Sequence, residues 1–339
     1  MALSELWAVG MVLAAFAASV GALPSFSLAG LMVVVGELYA LARKTAGVEL
    51  APVDVTGSIA FGVVLGPHVA FGGGAAAAAY AAKRGYLDPG DFPYHPATEV
   101  TRGLGSRPDV LAVGGVFGVL GYWMATLSAS LGFPTDPVAL GVVVSALAHR
   151  VAFGYSLVGA SAGRLFDMSP FENENPSADG GRVVEPWLPY QYRWTHVLAL
   201  GAVVGVLGGY VAYRTASPFL AFGISVVALV FVNAGVPSIT VTHHMSLPAS
   251  TAVVATVPAA SPTPATVAAA LSLPEAVLLG AFFGVVGAFF GEVSQRVLYA
   301  HADTHLDPPA ASIVLTSLLV AVLALAGLFP GAAWVPLPT

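Results

Sequence analysis

Eight stretches of roughly twenty residues or more run almost without charge along this chain: about 4–23, 25–43, 109–132, 137–156, 195–214, 217–236, 275–298 and 309–329. A helix needs about 20 mostly apolar residues to cross a bilayer, so each is long enough to span. Two further stretches, 55–83 and 238–260, are apolar but interrupted. The first is broken by Gly66-Pro67-His68 and then Gly72-Gly73-Gly74, the second by His243-His244 and Pro248. The pattern predicts an all-α polytopic membrane protein of about ten transmembrane segments. Its expected place is the cell membrane, as a multi-pass protein with the lipid bilayer as its first partner; a homo-oligomer is compatible with the pattern.

Composition closes off the other classes. Charged residues make up 9% of the 339 positions and hydrophobic residues 57%, whereas soluble chains carry about 25% charged residues. A soluble enzyme and a disordered chain are excluded on that ground. A formal net charge of −6 leaves no basic surface for nucleic acid. With no cysteine, disulfides, thiolate metal sites and cysteine nucleophiles are excluded. Residues 1–7 hold Glu5 and no Lys or Arg, so the first apolar stretch reads as a transmembrane helix rather than a cleaved leader. Two Lys against ten Arg resembles the composition of a salt-adapted or GC-rich source and carries no functional weight.

The chain also resembles itself. Val110–Gly121 reads VLAVGGVFGVLG and Ala276–Gly287 reads AVLLGAFFGVVG, so Gly114, Phe117, Gly118, Val119 and Gly121 recur 166 positions later. Asp136-Pro137 opens the next segment in one half and Asp307-Pro308 in the other. Leu28-Ala29 and Val34-Val35 match Leu220-Ala221 and Val226-Val227; Gly10 matches Gly201, and the broken stretches pair His68 with His244 and Gly72 with Pro248. These matches divide the chain into repeat 1 over 1–156, an acidic solvent-exposed loop over 157–194, and repeat 2 over 195–339.

Each repeat then holds five segments, the third broken. If the broken segment spans, five is odd and the second repeat is inverted, as in many secondary transporters. If it is a re-entrant hairpin, each repeat crosses four times and the repeats run parallel. The cations do not separate the two: spanning puts nine of the twelve on the side of loops 84–108 and 157–194 against Arg43, Lys44 and Arg214, and re-entry puts ten against Arg214 and Arg296. Length favours spanning, since 55–83 has 29 residues.

Chemistry is expected where the helices break. Backbone groups freed by a break survive in a membrane only against protein or a water-filled cavity. A half-helix start offers free N–H groups and partial positive charge. Gly72, Gly73 and Gly74, followed by an alanine run, read as such a start, with Pro248 and Ser250 as the counterpart. His68, His243 and His244 sit at matched breaks and are the expected pathway residues, because imidazoles inside membranes line paths or relay protons. Glu37 and Glu292 lie within apolar segments and are candidates for coupling to protons or Na⁺; Glu292 stands four residues ahead of Arg296, the spacing of a helical ion pair. In His301-Ala302-Asp303-Thr304-His305-Leu306-Asp307 four potential ligands alternate, a donor set suited to Zn, Fe or Mn; the competing reading makes Asp307 a helix cap before Pro308. His149-Arg150 reads equally as an interfacial anchor or as a site, and the clusters Tyr94-His95 and Tyr190–Trp194 read as interfacial anchors.

No nucleotide-binding or hydrolase motif is present. The leading expectation is therefore a transporter or channel for a small polar or ionic solute, not ATP-driven, with its site at mid-membrane between the two broken segments and no cofactor. The alternatives are a membrane-embedded metalloenzyme using a divalent metal at 301–307, and a structural membrane subunit.

Overall fold

A computed structural model describes residues 3–45, 49, 51–91, 94–159, 164–173, 184–258 and 262–338. The acidic residues 174–183, expected within the 157–194 loop, lie outside the described residues, as do 160–163 and 259–261. The described chain is helical, with no strand. Ten helices of eight residues or more carry the fold: α1 Leu3–Val20, α2 Ala22–Thr45, α3 Ala70–Lys83, α4 Pro108–Ser130, α5 Pro137–Phe153, α6 Trp194–Thr215, α7 Leu220–Val227, α8 His243–Val254, α9 Leu273–Ser294 and α10 Pro308–Leu325. A short segment, Leu229–Asn233, prolongs α7, and a π-helical turn, Gln295–Tyr299, prolongs α9.

Five of these are long and apolar enough to cross a membrane by length and composition: α2, α4, α6, α9 with its π-turn, and α10. Of the eight uninterrupted stretches expected from sequence, those of α5 and α7 are shortened: α5 starts behind its cap Asp136 and ends after seventeen residues at Gly154, in the left-handed region at φ 72°, and α7 stops after eight at Ala228. The side-chain distribution fits a membrane protein. Val12, Val203 and Leu278 are each 69% exposed, while Ser145, His149, Arg150, Ser246, Ser250, Thr304 and His305 are fully buried. Apolar groups face outward and the polar groups are held inside, where each needs a partner.

Packing partners recur at an offset of five helices. α1 packs on α3 and α4 as α6 packs on α8 and α9; α3, α4 and α5 pack mutually, as do α8, α9 and α10. The recurrence reaches single residues. On α4, Gly114 and Gly118 lie against Ala18 and Ala14; on α9, Gly280 and Gly284 lie against Gly209 and Gly205. Small residues every fourth position let two backbones approach closely, since nothing but packing favours helix contact in lipid. The α6–α9 crossing is the tighter one: a β-carbon at Gly280 would stand 2.5 Å from the Gly205 carbonyl oxygen. Among the described helices, α2 with α7 and α5 with α10 make the broadest contacts between the halves. At the first, Gly30 faces Val226 and Gly223 faces Val33.

Connections collect at two ends of the bundle. At one, Leu23 N–H donates to Val100 O, Glu185 N–H to Ala300 O, and His95 N–H to a Glu185 carboxylate oxygen. At the other, Lys44 Nζ donates to Pro262 O and Gly331 N–H to Ala255 O. Loop 84–108 and loop 257–274 therefore lie at opposite ends.

Candidate functional site

The two Asp-Pro pairs set the centre. Asp136 caps α5, its Oδ1 accepting from Val138 N–H at 2.8 Å and Ala139 N–H at 3.2 Å. Asp307 caps α10, its Oδ2 accepting from Ala310 N–H at 2.8 Å. Pro137 and Pro308 follow at first helical positions, where a missing N–H costs nothing. The two helices run antiparallel and staggered. Thr135 Oγ1 donates to Val314 O at 2.7 Å, and Asp136 N–H donates to Ser317 Oγ at 2.8 Å. Ser317 is the tenth of the eighteen residues of α10. In turn Leu306 and Ala311, at the start of α10, pack on Ala146 in α5. Each helix thus starts beside the body of the other, and both carboxylates come to rest well inside the bundle.

Between them lies a cavity of about 130 Å³. Both aspartates line it with Phe26, Phe61, Phe71, Phe219, Phe222 and Trp334, and no Lys or Arg does. Asp136 Oδ2 makes no hydrogen bond among the described residues. His243 also lines the cavity, 2% exposed, 5.1 Å from the Phe26 ring and 5.8 Å from that of Phe222, with its buried Nδ1 making no hydrogen bond among the described residues. Phe219 sits edge-on to Phe61 and tilted against Trp334, each at 5.1 Å, and the three rings line the cavity together.

The expected pathway residues are dispersed. His68 does not face His244. It packs on Tyr122 at 6.0 Å, with its carbonyl oxygen pressed against Gly121. The carbonyl oxygen of His244 is pressed against Gly287 in the same way, freed by Pro248 four residues on. The His244 ring borders a separate void of about 20 Å³, which also touches Glu292 and Gln191. Of the three histidines only His243 reaches the central cavity.

The glycine break is corrected. α3 begins at Ala70 and runs through Gly72, Gly73 and Gly74 without interruption. Gly72 N–H donates to Pro67 O and Gly73 N–H to Val69 O, so neither is a free donor. The three glycines serve close approach, to Ser145, Gly114 and Ala22 respectively. Similarly, α8 starts at His243 and continues through Pro248; Ser250 donates to Gly208 O at 3.1 Å. The turns that break these stretches lie ahead of the helices, around 61–69 and 234–242.

The acidic candidates have protein partners. Glu37 accepts from Thr56 Oγ1 at 2.8 Å and from Ser217 Oγ at 2.6 Å, which itself caps α7. Glu292 is ion-paired with Arg296 at 2.7 Å, and Arg296 also donates to Tyr192 O, tying α9 to the preceding loop. The metal expectation at 301–307 is not met: no group of three His, Asp or Glu able to hold a metal occurs among the described residues. His301 Nε2 pairs with Leu165 O, Asp303 points to solvent and Asp307 is spent as a cap. The segment turns through residues 301–304 rather than extending, so alternate side chains do not share a face.

A model of one protein family matches residues 1–338. The chain belongs to DUF7973, a family of unknown function. Neither a curated protein nor a solved structure matches it significantly.

Two features of this family member escaped sequence reasoning. One is Arg150, fully buried at the end of α5, donating to Thr304 Oγ1, Thr304 O and Leu298 O at 2.7–2.9 Å and to Leu157 O, with no carboxylate paired to it among the described residues. It pins the turn ahead of α10 to α5. Only the dipeptide His149-Arg150 marked it, and sequence could not tell an anchor at the surface from one in the interior. The other is a vestibule of about 310 Å³ lined by Tyr94, Thr98, Thr101, Glu185, Trp187 and Tyr299. Burial and the Glu99 carboxylate, 2.7 Å away, push the Tyr94 phenol well above its usual range and keep it a hydrogen-bond donor.

His305 packs against residues that line each of the two spaces. Its ring stands 5.3 Å from Trp187 and 5.2 Å from Tyr299, which line the vestibule, and 5.4 Å from Phe71, which lines the cavity. Neither ring nitrogen is hydrogen-bonded among the described residues, and Nε2 stands 3.5 Å from Asp307 Oδ1. Truncating His305→Ala takes that ring away. A cysteine at cavity-lining Val142 is then expected to react with a water-soluble thiol reagent added at the vestibule end, where the same cysteine behind His305 does not; equal rates in both backgrounds would show that His305 is no barrier.

Proposed function

We propose that this chain is a multi-pass cell-membrane protein of ten segments, built as two inverted five-segment repeats, and that it carries a small polar or ionic solute through the central cavity. The observation that carries this reading is the pair of carboxylates, Asp136 and Asp307, brought from corresponding helix starts to one interior cavity. Buried ionisable groups are costly in a membrane and cluster on solute and proton pathways. Inverted repeats meeting over discontinuous helices are the common plan of secondary transporters. The recurring packing of α1–α5 and α6–α10 supports the repeat, and the opposite ends taken by loops 84–108 and 257–274 support its inversion. The lack of a nucleotide motif favours gradient-driven or passive movement. Among the described residues, eight of eleven Lys and Arg belong to segments at the vestibule end, which the positive-inside rule assigns to the cytoplasm.

Two measurements test this reading. The chain has no cysteine, so single cysteines at Gly85 and at Thr263 report topology directly. An impermeant maleimide applied to intact cells is expected to label Thr263→Cys and spare Gly85→Cys until the cells are opened. Labelling of both from one side would remove the inverted repeat. Reconstituted into liposomes of neutral and anionic lipid, the protein is expected to speed entry of one among methylammonium, sodium, chloride and acetate, saturably, above empty vesicles. No acceleration of any of the four would end the transport reading.

A further inference from the structure

We infer that the central cavity binds a small organic ammonium ion, from methylammonium up to tetramethylammonium. The inference rests on the transport reading for its role, though binding stands by itself. Three classes of ligand compete for a space of about 130 Å³.

Anions are disfavoured by how the helix starts are used. A half-helix N-terminus attracts anions through its free N–H groups, but here Val138, Ala139 and Ala310 N–H are already taken by the capping carboxylates. No Lys or Arg lines the cavity. An entering anion would meet two carboxylates and aromatic rings.

Bare metal ions are disfavoured by the oxygen supply. Hard cations such as Mg²⁺ and Ca²⁺ take about six to eight oxygen ligands at close range. The side-chain carboxylates among the lining residues are Asp136 and Asp307, and each already accepts from backbone N–H. The remaining wall is phenylalanine, tryptophan, proline and aliphatic carbon. It cannot replace a hydration shell.

An alkylammonium ion fits both halves of the wall. Rings attract a cation within about 6 Å of their centroid, a reach that exceeds the half-width of a cavity this small, and this is how quaternary ammonium ligands are recognised. Six rings join into one array along the wall: Phe26 stands 5.9 Å from Phe71 and 6.2 Å from Phe222, Phe222 stands 5.8 Å from Phe61, and Phe219 joins Phe61 to Trp334 at 5.1 Å each. Asp136, whose caps use Oδ1, leaves Oδ2 without a hydrogen bond among the described residues to supply the counter-charge. His243, buried and with its Nδ1 making no hydrogen bond among the described residues, offers a ring nitrogen to an N–H of the less substituted amines. Volume agrees, since a cavity of about 150 Å³ holds a ligand the size of benzene.

The test is binding of methylammonium, trimethylammonium and tetramethylammonium chloride to the purified full chain in detergent, read by calorimetry and by the shift in melting temperature. Sodium chloride and tert-butanol serve as the ionic and the apolar control. Saturable binding of at least one amine, with neither control bound, is expected. Asp136→Asn and Phe222→Leu should each weaken it by about 10- to 30-fold, the loss expected for one desolvated charge or ring contact. Asn caps a helix as well as Asp, so Asp136→Asn keeps its fold, which its melting temperature without ligand verifies. Glu275→Gln, at the far end of α9, should leave affinity unchanged. The inference falls if no amine binds, if tert-butanol binds equally well, or if binding survives both cavity substitutions. Flux of another solute without amine binding would overturn this inference and leave transport standing. Amine binding without flux of any solute would do the reverse.

Discussion

Asp136→Asn and Asp307→Asn are each expected to lower solute flux in proteoliposomes by about 10- to 100-fold, the equivalent of roughly 1.5–3 kcal/mol for a contact with a charged group. The reasoning begins with what each carboxylate does locally. One oxygen of each already accepts from α5 or α10 N–H groups, and asparagine's carbonyl oxygen does the same. Folding is therefore preserved, and the substitution removes charge from the cavity wall. The measurement is initial flux at equal reconstituted protein, beside an unchanged melting temperature. Wild-type flux from both variants would mean that the aspartates are caps alone and that the path, if one exists, lies elsewhere.

Gly284→Leu is expected to abolish the native bundle altogether. Gly284 lies where α9 crosses α6, and a β-carbon there would run into the Gly201 carbonyl oxygen and stand 2.5 Å from the Gly205 α-carbon. The obstacle is backbone on both sides, so no rotamer change relieves it. Overpacking in well-filled cores costs about 1–3 kcal/mol; here four added carbons must force two helices apart along their tightest contact. The expected outcome is loss of the monodisperse peak on size-exclusion chromatography in detergent. Gly205→Ala, which adds one carbon against Gly280 O, should be milder, with a lowered melting temperature and retained fold. Its counterpart Ala14 already carries that carbon, facing Gly118. Ala14→Gly is accordingly expected to cost only about 1 kcal/mol, the propensity difference within a helix. A native Gly284→Leu protein would show that the α6–α9 crossing is looser than its glycines require.

Much of the architecture could be read along the chain, because it is written in local terms. Charge-free runs mark apolar helices. The recurrence of Gly114, Phe117, Gly118 and Gly121 at 280, 283, 284 and 287 marked the two helices, α4 and α9, that pack through glycine on α1 and α6. Asp136-Pro137 and Asp307-Pro308 announced two capped helix starts, and both caps are present. The Glu292–Arg296 pair followed from a spacing of four.

What the chain could not disclose was which of these local features meet. The sequence places the breaks at Gly66-Pro67-His68 and Gly72–Gly74 and at His243-His244 and Pro248; Gly66–His68 lie in the turns ahead of α3 and His243 opens α8, but Gly72–Gly74 and Pro248 sit inside continuous helices, because close packing satisfied the same glycines that a free helix start would have used. His68, His243 and His244 looked alike in sequence. Only the rotation of α8 against α2 and α7 turns His243 inward to Phe26 and Phe222, while His68 packs behind on Tyr122 and His244 faces Glu292. Asp136 and Asp307 are 171 positions apart and read separately as ordinary caps. The antiparallel stagger of α5 on α10, set by Thr135 and Asp136 docking on Val314 and Ser317, is what brings both carboxylates to one cavity. A cap is a contact within four residues and can be read from sequence; a shared cavity is a contact between helices, and tertiary packing alone decides it.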